Sequence, residues 1–175
     1  MRETWIHPNR RAILFACIPP TLLAGAGALM LLSSTSGTES LWRALAGIAL
    51  ITGLAIVAAL LWQLRRPRVA YDNGSVLFYL RRGSPIAVPV EAVEAFFAGQ
   101  GPAHLPVVTK QPQTVNLIAR LSRRHPEWAE QQVKPALGNW SDGYATVRGS
   151  WCQPVDSELI RTLNRRLKEV KNDTR

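Results

Sequence analysis

The chain predicts a two-helix membrane hairpin followed by a mainly-β domain that closes on an amphipathic helix. Three observations carry that reading. Residues 12–32 and 44–62 are apolar runs of 21 and 19 residues without a charge. Between residues 68 and 151 the pattern changes to short alternating stretches separated by turn residues. Near the end, Leu159, Ile160, Leu163, Leu167 and Val170 recur at three- and four-residue steps, the spacing of one helix face.

A helix needs about 20 apolar residues to cross a hydrocarbon core, so both runs are long enough. The expected organisation is a tail (residues 1–11), a transmembrane hairpin (12–64, with spans 12–32 and 44–63 and a link 33–43) and a domain (65–175). Arg10 and Arg11 precede the first run, as in a signal peptide. However, a signal core is only about 7–15 residues long, and the Ser/Thr/Gly link lacks a small-x-small cleavage pattern. A retained span is therefore preferred over a cleaved one. Pro19 and Pro20 lie inside it and predict a kink, because proline removes a backbone donor and clashes one turn back.

Trp42 and Trp62 bracket the second run. At about 1.5 Å per residue their spacing is about 30 Å, the thickness of the hydrocarbon layer, and indoles favour its two interfaces. Arg2, Arg10 and Arg11 flank the hairpin on one side and Arg65, Arg66 and Arg68 on the other, whereas the link holds only Arg43. Positive charge stays inside. Both termini are thus expected in the cytoplasm, at a cell inner (cytoplasmic) membrane, with the link outside. Small residues at helical spacing (Ala24 with Ala28, Ala49 with Gly53, Ala55 with Ala59) allow close helix approach. Packing of one span on the other is preferred over homo-oligomerisation.

The formal charge is +9, and the stretch 65–175 holds seventeen Arg/Lys against ten Asp/Glu. A basic domain beside a bilayer points to anionic headgroups. Nucleic acid is not expected, since the charges are scattered and carry no motif. Cys17 and Cys152 are too far apart to pair. With His7, His104 and His125 they form no zinc-like cluster, so no metal and no cofactor is expected. Arginine outnumbers lysine 17 to 4, a composition of GC-rich bacterial genomes.

Within the domain, Asn73-Gly74 between two β-rich stretches predicts a hairpin. Arg81 to Ser84 is a second turn, Ile86 to Val88 a third strand, and Pro89 closes it. The segment from Val90 to Gly99 reads as helix or strand edge, and residues 99–113, rich in Gly and Pro, as loop. Thr114 to Leu121 alternates, with Val115, Leu117, Ala119 and Leu121 on one face and Asn116 and Arg120 on the other. Pro126 opens a short helix that stops before Pro135. Tyr144 to Trp151 is another strand, with Ala145, Val147 and Trp151 on one face. Asp156 is the expected N-cap of the last helix, with Val155 and Ile160 as its hydrophobic staple. Arg161, Arg165, Arg166 and Lys168 lie on its polar side.

A membrane hairpin, then the stretch from Tyr71-Asp72-Asn73-Gly74 through Arg82-Gly83 to Val88-Pro89-Val90-Glu91-Ala92-Val93-Glu94, resembles bacterial membrane proteins with a pleckstrin-homology-like domain. The resemblance implies a PH-like fold with a C-terminal helix and no shared catalytic residues. The long stretch after Gly99 and the insert around Pro126 depart from it.

No catalytic constellation stands out. Glu91 and Glu94 lack a nucleophile or metal ligand nearby, and Gly99-Gln100-Gly101 is at best half of a phosphate loop. Trp128, Trp140 and Trp151 are either core anchors or a recognition surface. The function expected is a non-catalytic module holding a binding domain at the membrane, for another membrane protein or anionic lipid. Its basic residues would be Arg65, Arg66, Arg68, Arg81 and Arg82, with Trp42 and Trp62 at the interfaces. The alternative is an accessory subunit of a membrane enzyme or transporter.

Overall fold

The computed structural model describes residues 2–33, 40–102 and 113–173. The chain divides into a helical unit, Arg10–Arg65, and a β unit made of Met1–Asn9 with Arg66–Arg175.

In the helical unit the first apolar run forms α1 (Arg10–Ala16) and α2 (Ile18–Ser33), interrupted at Cys17. The helix is broken close to the expected kink, and the cause is local. Pro19 and Pro20 offer no N–H to the carbonyls of Phe15 and Ala16. The Cys17 N–H is shared between the carbonyls of Ile13 and Leu14, each at 3.1 Å, and the Thr21 hydroxyl donates to the Cys17 carbonyl at 2.8 Å. Helix α3 (Ser40–Leu64) is longer than the predicted span and ends before Pro67. Most of the expected external link lies outside the described residues.

Helices α2 and α3 meet through small residues: Pro20, Ala24 and Gly27 on one, Ala46 and Gly53 on the other, all buried. A Cβ on Gly53 would lie 2.6 Å from the Pro20 carbonyl oxygen, and one on Gly27 2.6 Å from that of Ala46. Only glycine permits this approach, which is how helices associate where water supplies no driving force. Ala55 and Ala59 are exposed and take no part.

The β unit holds two four-stranded antiparallel sheets. The first has the order β1 (Glu3–Ile6), β2 (Val69–Asp72), β3 (Ser75–Phe78), β4 (Ile86–Pro89). The second has the order β5 (Val93–Pro102), β6 (Gln113–Leu121), β8 (Tyr144–Val147), β7 (Gly138–Ser141). Asn73 (φ 44°) and Gly74 (φ 76°) make the predicted turn between β2 and β3. Asp142 (φ 54°) and Gly143 (φ 75°) make an equivalent turn between β7 and β8. Positive φ at both central residues matches the right-handed twist of the paired strands.

Several expectations are corrected. The segment before the hairpin is no tail: Glu3 pairs with Tyr71, Thr4 with Ala70 and Ile6 with Val69. Beyond β1, the Gln153 N–H donates to the His7 carbonyl (3.0 Å) and the Asn9 N–H to that of Trp151 (3.2 Å). Gly99 to Pro102 continue β5 rather than opening a loop, because Gly99 and Gly101 leave room for the side chains of Ile118 and Asn116. The ambiguous stretch is a 3-10 turn, Val90–Ala92, followed by strand. The helix at Pro126 shrinks to one 3-10 turn, Pro126–Trp128. The strand from Tyr144 stops at Val147, and Gly149–Trp151 is a 3-10 turn.

The core lies between the sheets and under α4 (Ser157–Asp173), around Phe78, Phe96, Ile6, Leu117 and Leu163. Trp5 stacks on Tyr71 (5.6 Å between centroids) and meets Phe96 edge-on. Trp140 meets Phe78 edge-on, and its indole N–H donates to the Trp128 carbonyl at 2.8 Å. On the opposite face of the first sheet, Ala70, Leu77 and Tyr79 form a small separate cluster. Asp156 caps α4 as expected, accepting the Leu159 N–H at 2.7 Å. Val155, Leu159, Ile160 and Val170 flank the fully enclosed Leu163 and Leu167.

Candidate functional site

The helical unit turns most of its large apolar side chains outward, although Ile13 is enclosed. Phe15, Leu22, Ile51 and Leu32 are 71%, 69%, 70% and 84% exposed. A core helix of a water-soluble protein would hide such residues. These two helical stretches, Arg10–Ser33 and Ser40–Leu64, are long and apolar enough to cross a membrane. Trp42 and Trp62 stand exposed near the two ends of α3.

Four of the five candidate arginines are exposed, in two groups. Arg65 and Arg66 are exposed just past the end of α3. Arg81 and Arg82 are exposed in the turn between β3 and β4. There Arg81 braces its own turn, its Nε donating to the Ser84 carbonyl at 3.1 Å.

Arg68 departs from the expectation. It is 4% exposed, and its Nε donates to the Trp151 carbonyl at 3.0 Å. Its backbone is paired on both sides, with Ile6 (2.8 Å) and Tyr79 (3.0 Å). Burial lowers its pKa, partly opposed by neighbouring Cys152. In turn, burial pushes the Cys152 thiol up to about 11, against the pull of Arg68 and a backbone hydrogen bond. At neutral pH the thiol is therefore protonated and unreactive. This pair is an internal fastener of the strand ends, not a surface for headgroups. Arg148, 8% exposed, has a similar part: its guanidinium donates to the carbonyls of Pro102 (3.2 Å) and Pro135 (3.4 Å).

Glu91 and Glu94 do reach a common recess of about 440 Å³, lined also by Ser122, Arg124, His125 and Lys171. Several of its polar groups already have partners. Glu94 holds Arg120 at 2.8 Å, and His125 Nδ1 lies 3.1 Å from Glu127. Lys171 donates to the Val93 carbonyl, and the Ser122 hydroxyl accepts the Arg124 N–H at 3.3 Å. Among the described residues no group of His, Cys, Asp and Glu could hold a metal ion.

Sequence reasoning missed two contacts that fix α4. The Asn164 amide accepts the Phe96 N–H (2.8 Å) and donates to the Phe96 carbonyl (2.9 Å), covering the edge of β5. Arg166 reaches Glu3 on β1 at 3.1 Å. An asparagine on the apolar side of an amphipathic helix, next to Leu163, was the available signal for the first. Trp128 and Trp140 serve the core rather than a recognition surface. The chain matches no family model, no curated protein and no solved structure.

Proposed function

We propose that this chain is an integral protein of a bacterial cytoplasmic (inner) membrane, crossing it twice with both termini in the cytoplasm. Its β unit is a pleckstrin-homology-like, non-catalytic binding module held at that face. The arrangement that supports this most is the position of the apolar helices between β1 and β2, two strands that pair with each other. Strands of one sheet share a compartment, so a chain that enters the membrane after β1 has to come back before β2. Two crossings satisfy this. A cleaved leader does not, because cleavage would remove β1 from the core.

The arginines that flank both ends of the hairpin support this side. The PH-like reading is supported by the layout of two antiparallel sheets and a C-terminal helix. Arg65, Arg66, Arg81 and Arg82 are the residues that meet anionic headgroups, each contributing about 1 kcal/mol near such a surface.

The test uses the full chain with Cys17→Ser. A cysteine at Ser36 reacts with an impermeant thiol reagent from outside, and one at the exposed Ser84 only after the membrane is opened. Cys152 is unsuitable as the inner reporter, being fully buried. In nanodiscs, hydrogen exchange at the Arg81–Arg82 turn is slower in anionic than in neutral lipid. The difference fades as salt shortens the Debye length well below about 10 Å, and is absent when the four arginines become Gln. Equal exchange in both lipids removes the lipid and leaves a protein partner, sought as a stoichiometric detergent-stable complex.

A further inference from the structure

We infer that the β unit is a checkpoint for membrane insertion: it completes its fold only when the hairpin has crossed twice and returned β1 and β2 to one side. The inference rests on the membrane reading above and adds a consequence of where β1 sits in the chain.

β1 is no ornament on the sheet edge. Trp5 and Ile6 are 2% and 0% exposed and belong to the main core. The segment is bound along its whole length: Glu3 to Arg166 of α4, Glu3 to Ile6 along β2, and His7 to Asn9 along residues 150–153. It therefore touches the first sheet, the final helix and the turn that carries Arg68's acceptor. Without it, β2 becomes a bare edge, Phe96 and Tyr71 lose the Trp5 ring, and the Arg68 backbone N–H loses the Ile6 carbonyl. An open edge beside exposed core residues is a target for pairing and for proteases.

A hairpin that fails to insert its first helix, or leaves β1 outside, delivers every other strand but not this one. Correct topology is thus read out as a closed core, with no dedicated sensor.

Three full-length chains test it, with retention on alkaline carbonate extraction reporting membrane integration and limited proteolysis of residues 69–173 reporting closure. The wild type is retained and protected. A chain with Arg10 and Arg11 changed to Glu, selected because an epitope tag ahead of Met1 is accessible from outside and one after Arg175 only from inside, is retained but cut about tenfold faster or more. The same chain with a second copy of residues 2–9 spliced through a flexible linker ahead of Val69 regains protection. Full protection of the misrouted chain, or failure of the spliced copy to restore it, overturns the inference. Release of the wild type by carbonate overturns the membrane reading itself, and this inference with it.

Discussion

The two units of this chain bury opposite kinds of residue. In the helical unit the enclosed positions of α2 and α3 are Pro20, Ala24, Gly27, Ala46 and Gly53, and most leucines and isoleucines face outward; Ile13 of α1 is a large side chain that is enclosed. In the β unit Phe78, Phe96, Ile6 and Leu117 are enclosed and the charges face outward, apart from Arg68 and Arg148. The helical unit is the more apolar of the two, and the size of what each mostly buries separates them as well. In water, large apolar side chains gain most by burial. In lipid that gain vanishes, and close backbone approach between small residues takes over.

The sharpest way to break the comparison is a matched pair of truncations. Phe96→Ala in the β unit should cost about 3–5 kcal/mol, the usual loss for an enclosed aromatic. Leu22→Ala on α2 should leave β-unit stability unchanged, because that side chain is exposed. Denaturant melts of the detergent-solubilised chain, followed by tryptophan fluorescence, give both numbers. Similar losses would mean that the helices are packed as in a soluble core.

Gly53→Leu probes the other side of the comparison. Its added side chain meets the Pro20 carbonyl and Ala24, so the hairpin should open at a cost of about 1–3 kcal/mol. Disulfide trapping of a cysteine pair placed at Ala24 and Leu50 should slow markedly. Unchanged trapping would show that α2 and α3 do not rely on that contact.

The smallest effect is silent at neutral pH. Cys152 is raised by burial from its ordinary 9.0 to about 11. The folded state therefore holds its proton more tightly than the unfolded one, and stability falls as pH rises from about 9 to 11. Below the unfolded value the two states bind the proton equally and the slope is zero. Cys152→Ala should flatten that part of the curve, whatever it costs at pH 7; an unchanged slope would place the thiol in contact with water.

Much of the fold was legible where its signals are local. Asn73-Gly74 and the 3.6-residue period of α4 predicted elements found at those positions. β7 was missed although Asp142-Gly143 carries the same turn chemistry, because only Trp140 is a large apolar residue among its four. Residues 99–102 read as loop because glycine and proline usually break strands. Here the glycines make room for side chains on the neighbouring strand. β1 was illegible for another reason: four residues give too short a pattern, and the partner lies more than sixty positions on. For the candidate site, Arg65, Arg66, Arg81 and Arg82 are exposed as a basic run suggests. Arg68 belongs to the same run, but its enclosure depends on β1 and Trp151, which no local pattern announces.

The pairing of Ile6 with Val69 gives the helical hairpin an unusual status: in chain order it is the turn of a β-hairpin, enlarged into two helices long and apolar enough to cross a bilayer. Turns are where folds accept insertions. A version of this unit without the helices is therefore made by excision rather than by truncation. Joining Asn9 to Arg66 through a few glycines and serines keeps all eight strands, whereas any protein begun after the second helix starts one strand short.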